Sequence, residues 1–539
     1  MRMKTPLRVA AAAASFALLV TACGGGSETE TDASNTDSTS DPNAPSGGTY
    51  SVNLTEPSYL APFANCYESE CSKVLDLVND PLVSVNVETG ELVYDGLLAS
   101  VEPNDDQSVW TITIKEGRTF QNGEPVTADG FIRTWNYTAN PKNEQATAGF
   151  MSHIEGASEG NQMSGLKKID DLTFEVTLTS PFSQFPLTLS YGNAWHPLAE
   201  ACFDDIQACN EKPIGTGPYM MEGKWNHDQG ITLTKWADYQ GDQEAQADTI
   251  QFKMFADAVS AFRAWQGGTL DLLDNVDPTI YGEAVQQAGD RILTEESTTL
   301  TYMGFPVQTA PYDSKKYRQG FSMAFDRQSI IDGVLNGQAV PATDIVPPAF
   351  AGHRDSACNY CQLDVDRAKE LFQAGGGSSD ETIEIFFNAG AGHEGWTEAI
   401  GNQLKNNLGV DFKLRATEWA QYLEILDAGD FTGPFRLGWL QDYPSMENYV
   451  RPLVSTNGDS NYSNYSNPEV DQNLKKGDQA QTQEEAIEFY QAADDAALED
   501  MPILPLWFGI DNIIWSDNLS NINYSVESGG AQLNKVIVQ

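Results

Sequence analysis

The strongest constraint on this chain is the way two kinds of apolar rhythm take turns along it. Trp110, Ile112 and Ile114 alternate with Thr111, Thr113 and Lys115, and Leu172, Phe174, Val176 and Leu178 alternate with Thr173, Glu175, Thr177 and Thr179. A period of two places one face of each segment in a core and the other in water, so both predict half-buried strands. Ile487, Tyr490, Ala493 and Ala497 recur at helical spacing until Pro502 stops the pattern, and Ile503 to Phe508 then predicts a buried strand. Gly375-Gly376-Gly377 separates a helix over residues 365–374 from a strand over 383–387; without a following Lys it is no phosphate loop. The class is therefore α/β. At 539 residues the chain has room for about three domains or subdomains.

The amino terminus fixes the compartment. Arg2, Lys4 and Arg8 precede an apolar run from Val9 to Val20, and the small residues Thr21 and Ala22 stand just before Cys23. This is the form of an export signal. Twelve helical residues rise only about 18 Å, short of the ~30 Å hydrocarbon core, and no later stretch is apolar enough to span it. Leu19-Val20-Thr21-Ala22-Cys23 resembles a bacterial lipobox, which implies residues 1–22 as a signal peptide and lipid on Cys23. Residues 23–48 are Gly-, Ser-, Thr- and acid-rich and form a tether, with a reach of about 25–30 Å as a flexible coil.

The other six cysteines fall in close pairs, Cys66 with Cys71, Cys202 with Cys209, and Cys358 with Cys361. In an oxidising exterior this spacing favours three local disulfides among the fifteen connectivities that six cysteines allow. A zinc site at Cys358 and Cys361 with His353 is the competing reading, and it lacks a second matched pair of ligands. The 77 acidic against 31 basic residues give a formal charge of −46. A surface so acidic repels phosphate backbones and anionic headgroups, which disfavours nucleic acid as a partner.

Motifs for catalysis are sparse. Gly156-Ala157-Ser158-Glu159-Gly160 fits the G-x-S-x-G pattern of a secreted serine hydrolase, yet a nucleophile elbow needs an apolar strand before it, and these flanks are polar. The five histidines, His153, His196, His227, His353 and His393, include no H-E-x-x-H pair to hold a hydrolytic metal. The expectation is a protein that is not an enzyme, with no metal and no cofactor.

A longer constellation is more informative. Asp80-Pro81-Leu82-Val83, Glu88-Thr89-Gly90-Glu91-Leu92-Val93, Trp110 to Gly117, Asn122 to Ala128, Ile214 to Tyr219, Gln266 to Asp271 and Tyr317 to Arg327 occur in this order. Together they resemble the bacterial extracellular solute-binding proteins of the oligopeptide, dipeptide and nickel class, family 5, over roughly residues 48 to 539. The resemblance implies a two-lobed, type II periplasmic-binding-protein-like clam. Lobe I would comprise residues 49–73, 191–298 and 504–539, with an extra subdomain at 74–190, and lobe II residues 299–503. It also implies a monomer, lipid-anchored at the outer face of the cell membrane, that captures an oligopeptide or dipeptide and delivers it to an ABC permease. Nickel chelates and oligosaccharides are the alternative ligands for the same fold.

Within the resemblance, Arg436-Leu437-Gly438-Trp439-Leu440-Gln441-Asp442-Tyr443 matches the family's cleft segment. Peptide-binding members use the Asp to hold the ligand's α-ammonium, which points to Asp442; a loop-capping role is the bland alternative. Arg436 matches a position that meets the ligand carboxylate, or else forms an ordinary salt bridge within its lobe. Gly438, Trp439, Tyr443, Trp419 and Tyr302 fall at or near the cleft wall, where aromatic faces suit a ligand of mixed polarity, although each also suits a core. Where relatives often read Asp-Tyr-Pro-Asp-Pro, this chain reads Asp442-Tyr443-Pro444-Ser445-Met446, and Pro306 stands where they often carry Asn.

Overall fold

The structure, a computed structural model, describes residues 47–539 except 86–91, 158–159, 161, 481 and 527. The signal segment, Cys23 and most of the tether lie outside the described residues, as does Ser158. No helix among the described residues is long and apolar enough to cross a membrane.

Each rhythm in the sequence produces its element. Val109–Ile114 is a strand with Trp110, Ile112 and Ile114 buried, and it pairs antiparallel with Ala99–Pro103 on one side and Thr173–Thr177 on the other. The helix Val365–Ala374 starts where Asp364 accepts a hydrogen bond from the Arg367 N–H at 3.0 Å. The helix Gln483–Asp500 starts in the same way, with Thr482 accepting from Glu485 N–H at 3.2 Å, and ends at Met501 in left-handed backbone before Pro502. Caps of this kind are each worth about 1 kcal/mol. The strand predicted over 503–508 is longer than expected and runs Ile503–Trp515. Gly509, Asp511 and Asn512 break the apolar run, so the strand pattern fades at Gly509, yet the strand keeps its partners through Trp515.

Among the described residues an eleven-stranded sheet runs through the molecule. Its order is Asp411–Thr417, Thr382–Asn388, Phe435–Trp439, Ile292–Gly304, Ile503–Trp515, Leu272–Leu273, Thr49–Leu54, Thr249–Met254, Gly230–Lys235 and Tyr219–Met221, with Ala339–Pro341 added beside Ile503–Trp515. Parallel and antiparallel ladders are mixed, and helices cover the faces, as an α/β fold requires.

Two large apolar cores flank this sheet. One gathers Tyr50 to Phe252 with Leu272 and residues from Ile513 to Val536. The other gathers Leu300 to Phe508. A small third core joins Phe262, Trp265 and Ile514. The paired strands Ile292–Gly304 and Ile503–Trp515 serve both large cores: Leu300, Tyr302, Leu504 and Leu506 belong to the second, and Ile513 to the first. Their register shifts twice, between Glu296 and Leu300, where three residues, Ser297 to Thr299, interrupt the ladder, and again between Thr301 and Tyr302. An irregularity of this kind bends and twists a strand locally. Polar groups at the crossing are partly met: Asn512 donates to Gln338 at 2.7 Å and accepts from Thr294 at 2.8 Å, and Tyr449 donates to the Thr298 carbonyl at 2.7 Å, whereas the buried Thr298 hydroxyl has no partner among the described residues.

Cys66–Cys71, Cys202–Cys209 and Cys358–Cys361 are disulfides, spanning 5, 7 and 3 residues. With its thiols bonded to each other, the Cys358 turn has no thiolate for zinc, and His353 Nδ1 faces the Val346 carbonyl at 2.7 Å. Loops this short contribute about 1.5–2.5 kcal/mol of chain entropy each, at the low end for a disulfide, so the bridges pin local turns. Denatured exported protein is expected to show none of these six thiols to a maleimide label until it is reduced, after which all six react.

Candidate functional site

Asp442 sits between the end of the strand Phe435–Trp439 and the helix Glu447–Val454. Its backbone N–H donates to Asn448 Oδ1 at 2.7 Å, and Asn448 Nδ2 returns a bond to Asp442 Oδ2 at 3.0 Å. The carboxylate is thus fixed in direction by a neutral partner. No basic side chain pairs with it among the described residues. Burial, opposed by the Asn448 bond and reinforced by the Asp459 and Glu447 carboxylates, pushes it up to about 6.

Arg436 carries the complementary charge six residues earlier on the same segment. Its Nη1 donates to Asn388 Oδ1 at 3.1 Å, its Nε has no partner, and no carboxylate pairs with it among the described residues. Burial lowers its pKa to about 10, although the Tyr422 and Tyr302 hydroxyls act in the opposite direction. Tyr422 holds the backbone beneath it, donating to the Arg436 carbonyl at 2.6 Å. Burial first, and the guanidinium second, keep His393 neutral. Gly438 explains how the guanidinium fits: a Cβ there would stand 3.3 Å from Arg436 Nη2, so the missing side chain leaves space over the strand.

The remaining expected residues divide. Tyr443 is buried, donates to Glu447, and meets Phe150 edge-on at 6.1 Å. Trp439 packs against the second core with its Nε1 unpartnered. Trp419 opens the helix Trp419–Ala428, is 44% exposed, and lies 6.3 Å from the Tyr422 ring. Tyr302 is 1% exposed and belongs to the second core, so its influence on the site passes through Arg436.

Several neighbours had no local signal in the sequence. Phe150 stacks on Tyr191 at 5.2 Å, and the Tyr191 hydroxyl donates to the Cys66 carbonyl at 3.3 Å. Burial and, after it, the Asp442 charge raise the Tyr191 pKa, so this first-core wall stands close to the carboxylate. Of the unexpected residues, Glu447 and Asn448 lie near the cleft segment in sequence. A separate concavity of about 450 Å³, lined by Arg354, Asn359, Tyr360 and Glu499, shares no residue with this site.

Two cores joined by crossing strands, with an unpaired acid and an unpaired base beside their junction, describe a two-lobed α/β clam of the solute-binding kind. Residues 93–461 match the model described as "Bacterial extracellular solute-binding proteins, family 5 Middle", and the chain belongs to that family. It is 27% identical to the oligopeptide-binding protein OppA of Bacillus subtilis over 533 residues, covering 94% of this chain and 95% of that protein. In fold it is similar to the murein tripeptide binding protein MppA of Escherichia coli, with a TM-score of 0.81, 22% identity, and 92% and 99% of the two chains covered. Haemophilus influenzae OppA in complex with RPPGFSPFR gives 0.80 at 20% identity, with 92% and 99% covered.

Proposed function

We propose that this protein captures short peptides by closing two lobes around them and passes them to an ABC permease, with Asp442 holding the α-ammonium and Arg436 the α-carboxylate. The observation that carries the reading is the unpaired charge at each of these residues. A shielded charge without a partner costs several kcal/mol, and a zwitterionic ligand relieves both costs at once. Six residues span at most about 22 Å, so a ligand held at both ends is short. Trp439, Tyr443 and Trp419 supply apolar area for side chains, and backbone pairing supplies tolerance of sequence.

In this reading lobe I comprises residues 49–73, 191–298 and 504–539 with the subdomain 74–190, lobe II comprises residues 299–503, and the crossing strands are the hinge. A ligand that touches both lobes adds contacts only in the closed form, which is how capture shifts the equilibrium. Cleavage before Cys23 and lipidation there, with residues 24–48 as tether, place a monomer at the outer face of the membrane. The fold then needs no catalytic group and no cofactor. Relatives that carry peptide binding in their names support the ligand class.

Native mass spectrometry of the exported protein tests the reading. Adducts that fragment as short peptides are expected, on a chain whose intact mass begins at a lipidated Cys23. A retained nickel chelate or oligosaccharide, with no peptide exchange, would replace the peptide assignment.

A further inference from the structure

Besides the site, the two large cores touch through a contact made wholly by protein groups. Phe182 is part of the first core, and the two residues after it reach the second. Ser183 N–H donates to the Asp478 carbonyl at 3.0 Å, and Ser183 Oγ donates to the Gly477 carbonyl at 3.5 Å. Gln184 Oε1 accepts from Ser445 Oγ at 3.0 Å. Asp478 ends the helix Pro468–Asp478, and Ser445 stands just before the helix Glu447–Val454; both helices pack into the second core. Ser445 Oγ also accepts from the Glu447 N–H at 3.2 Å, which sets the direction of the hydroxyl. Gln184 and Ser445 are only 5% and 8% exposed. Nearby, Asp459 lies so close to Gly149 that a side chain at Gly149 would collide with it.

We propose that Ser183, Gln184 and Ser445 form a latch between the subdomain and lobe II that keeps a fraction of ligand-free molecules shut. Water takes over these hydrogen bonds when the lobes part, so each intact bond shifts the equilibrium modestly. Removing one partner acts more strongly in one direction. In the closed form the group left behind is buried and unmet, whereas in the open form it is hydrated, so truncation favours the open form. Apparent affinity falls with the closed-competent fraction. Ser445 is one of the places where the cleft segment departs from Asp-Tyr-Pro-Asp-Pro, and the latch gives that departure a role. The latch rests on the reading that capture closes the lobes, although it makes no use of Asp442 or Arg436.

Small-angle scattering of ligand-free Gln184→Ala and Ser445→Ala against the parent tests this. Both variants are expected to show a larger radius of gyration, to bind trialanine about fivefold more weakly in calorimetry, and to keep the parent circular dichroism. The double variant is expected to lie closer to the parent than either single one, because it leaves neither partner buried and unmet. Ligand-free curves that superimpose for parent and variants would overturn the latch, whatever the parent binds. A parent that takes up no peptide would sink the capture reading instead, and the scattering difference would still decide the latch. The substitutions fall in different cores, so if one variant fails to fold the other carries the measurement.

Discussion

Asp442→Asn is expected to weaken binding of peptides with a free amino terminus by about 100-fold, and of their N-acetylated forms by far less. The substitution keeps the size of the side chain and removes its charge. Losing one member of a shielded charge pair costs about 2–5 kcal/mol, much of it from leaving the other member unmet. Titration calorimetry with a matched pair of free and acetylated tripeptides checks this. Equal losses for both would mean that the ammonium lies elsewhere.

The same residue predicts a pH response of definite sign. In the ligand-free protein the Asp442 carboxyl titrates at about 6, raised chiefly by burial. An ammonium beside it favours the ionised form, so the bound pKa is lower, and affinity should fall by up to about tenfold per unit as pH drops below 6. Stability responds in the opposite way. The folded pKa lies above the unfolded one, so the folded chain holds a proton that the unfolded chain releases between about pH 4 and 6. Acidification through that window therefore stabilises the ligand-free protein, and above it the ionised carboxylate is a net cost of about 3 kcal/mol. Asp442→Asn removes that cost. Its ligand-free melting temperature is expected to exceed the parent's at pH 7 and to match it near pH 4.

Arg436→Met is expected to weaken binding of peptides with a free carboxyl terminus by about 30- to 100-fold, and to leave C-terminally amidated peptides nearly unaffected. Met keeps the apolar stem that packs beside Tyr422 and gives up the planar donor fork. The ligand-free variant should also melt higher, because a buried guanidinium with an unpartnered Nε costs the fold something that a thioether does not. Competition between a free-acid peptide and its amide, read by calorimetry on parent and variant, separates the two effects. A variant that discriminates between them as the parent does would move the carboxylate away from Arg436.

The elements that could be read from the sequence were those in which one face alone settles the outcome. Residues 110–114 and 173–177 alternate strictly, residues 365–374 and 383–387 are set apart by the Gly375-Gly376-Gly377 breaker, and all four fold as the sequence predicts. Close cysteine spacing made the disulfides legible for a similar reason, since each joins neighbours. The strand Ile503–Trp515 was legible only as far as Phe508. Beyond it, Asp511 and Asn512 are polar and shielded, and what keeps them in a strand is contact with Tyr524, Thr294 and Gln338, none of which is adjacent in sequence. The candidate site divides on the same line. Asp442 and Arg436 stand in one recognisable segment. Asn388 and Tyr422, which hold Arg436, and Phe150 and Tyr191, which form a wall close to Asp442, come from elements that only the folded chain brings together.

The three-residue break between Glu296 and Leu300 also bears on how the molecule holds together. Because the same two ribbons line both hydrophobic interiors, neither half can melt without stripping edge partners from the other. In the proposed closure, bending at those few peptide units would let the halves swing while the rest of the sheet carries load between them. The joint proposed for movement would then also be the seam that makes the two halves one cooperative body.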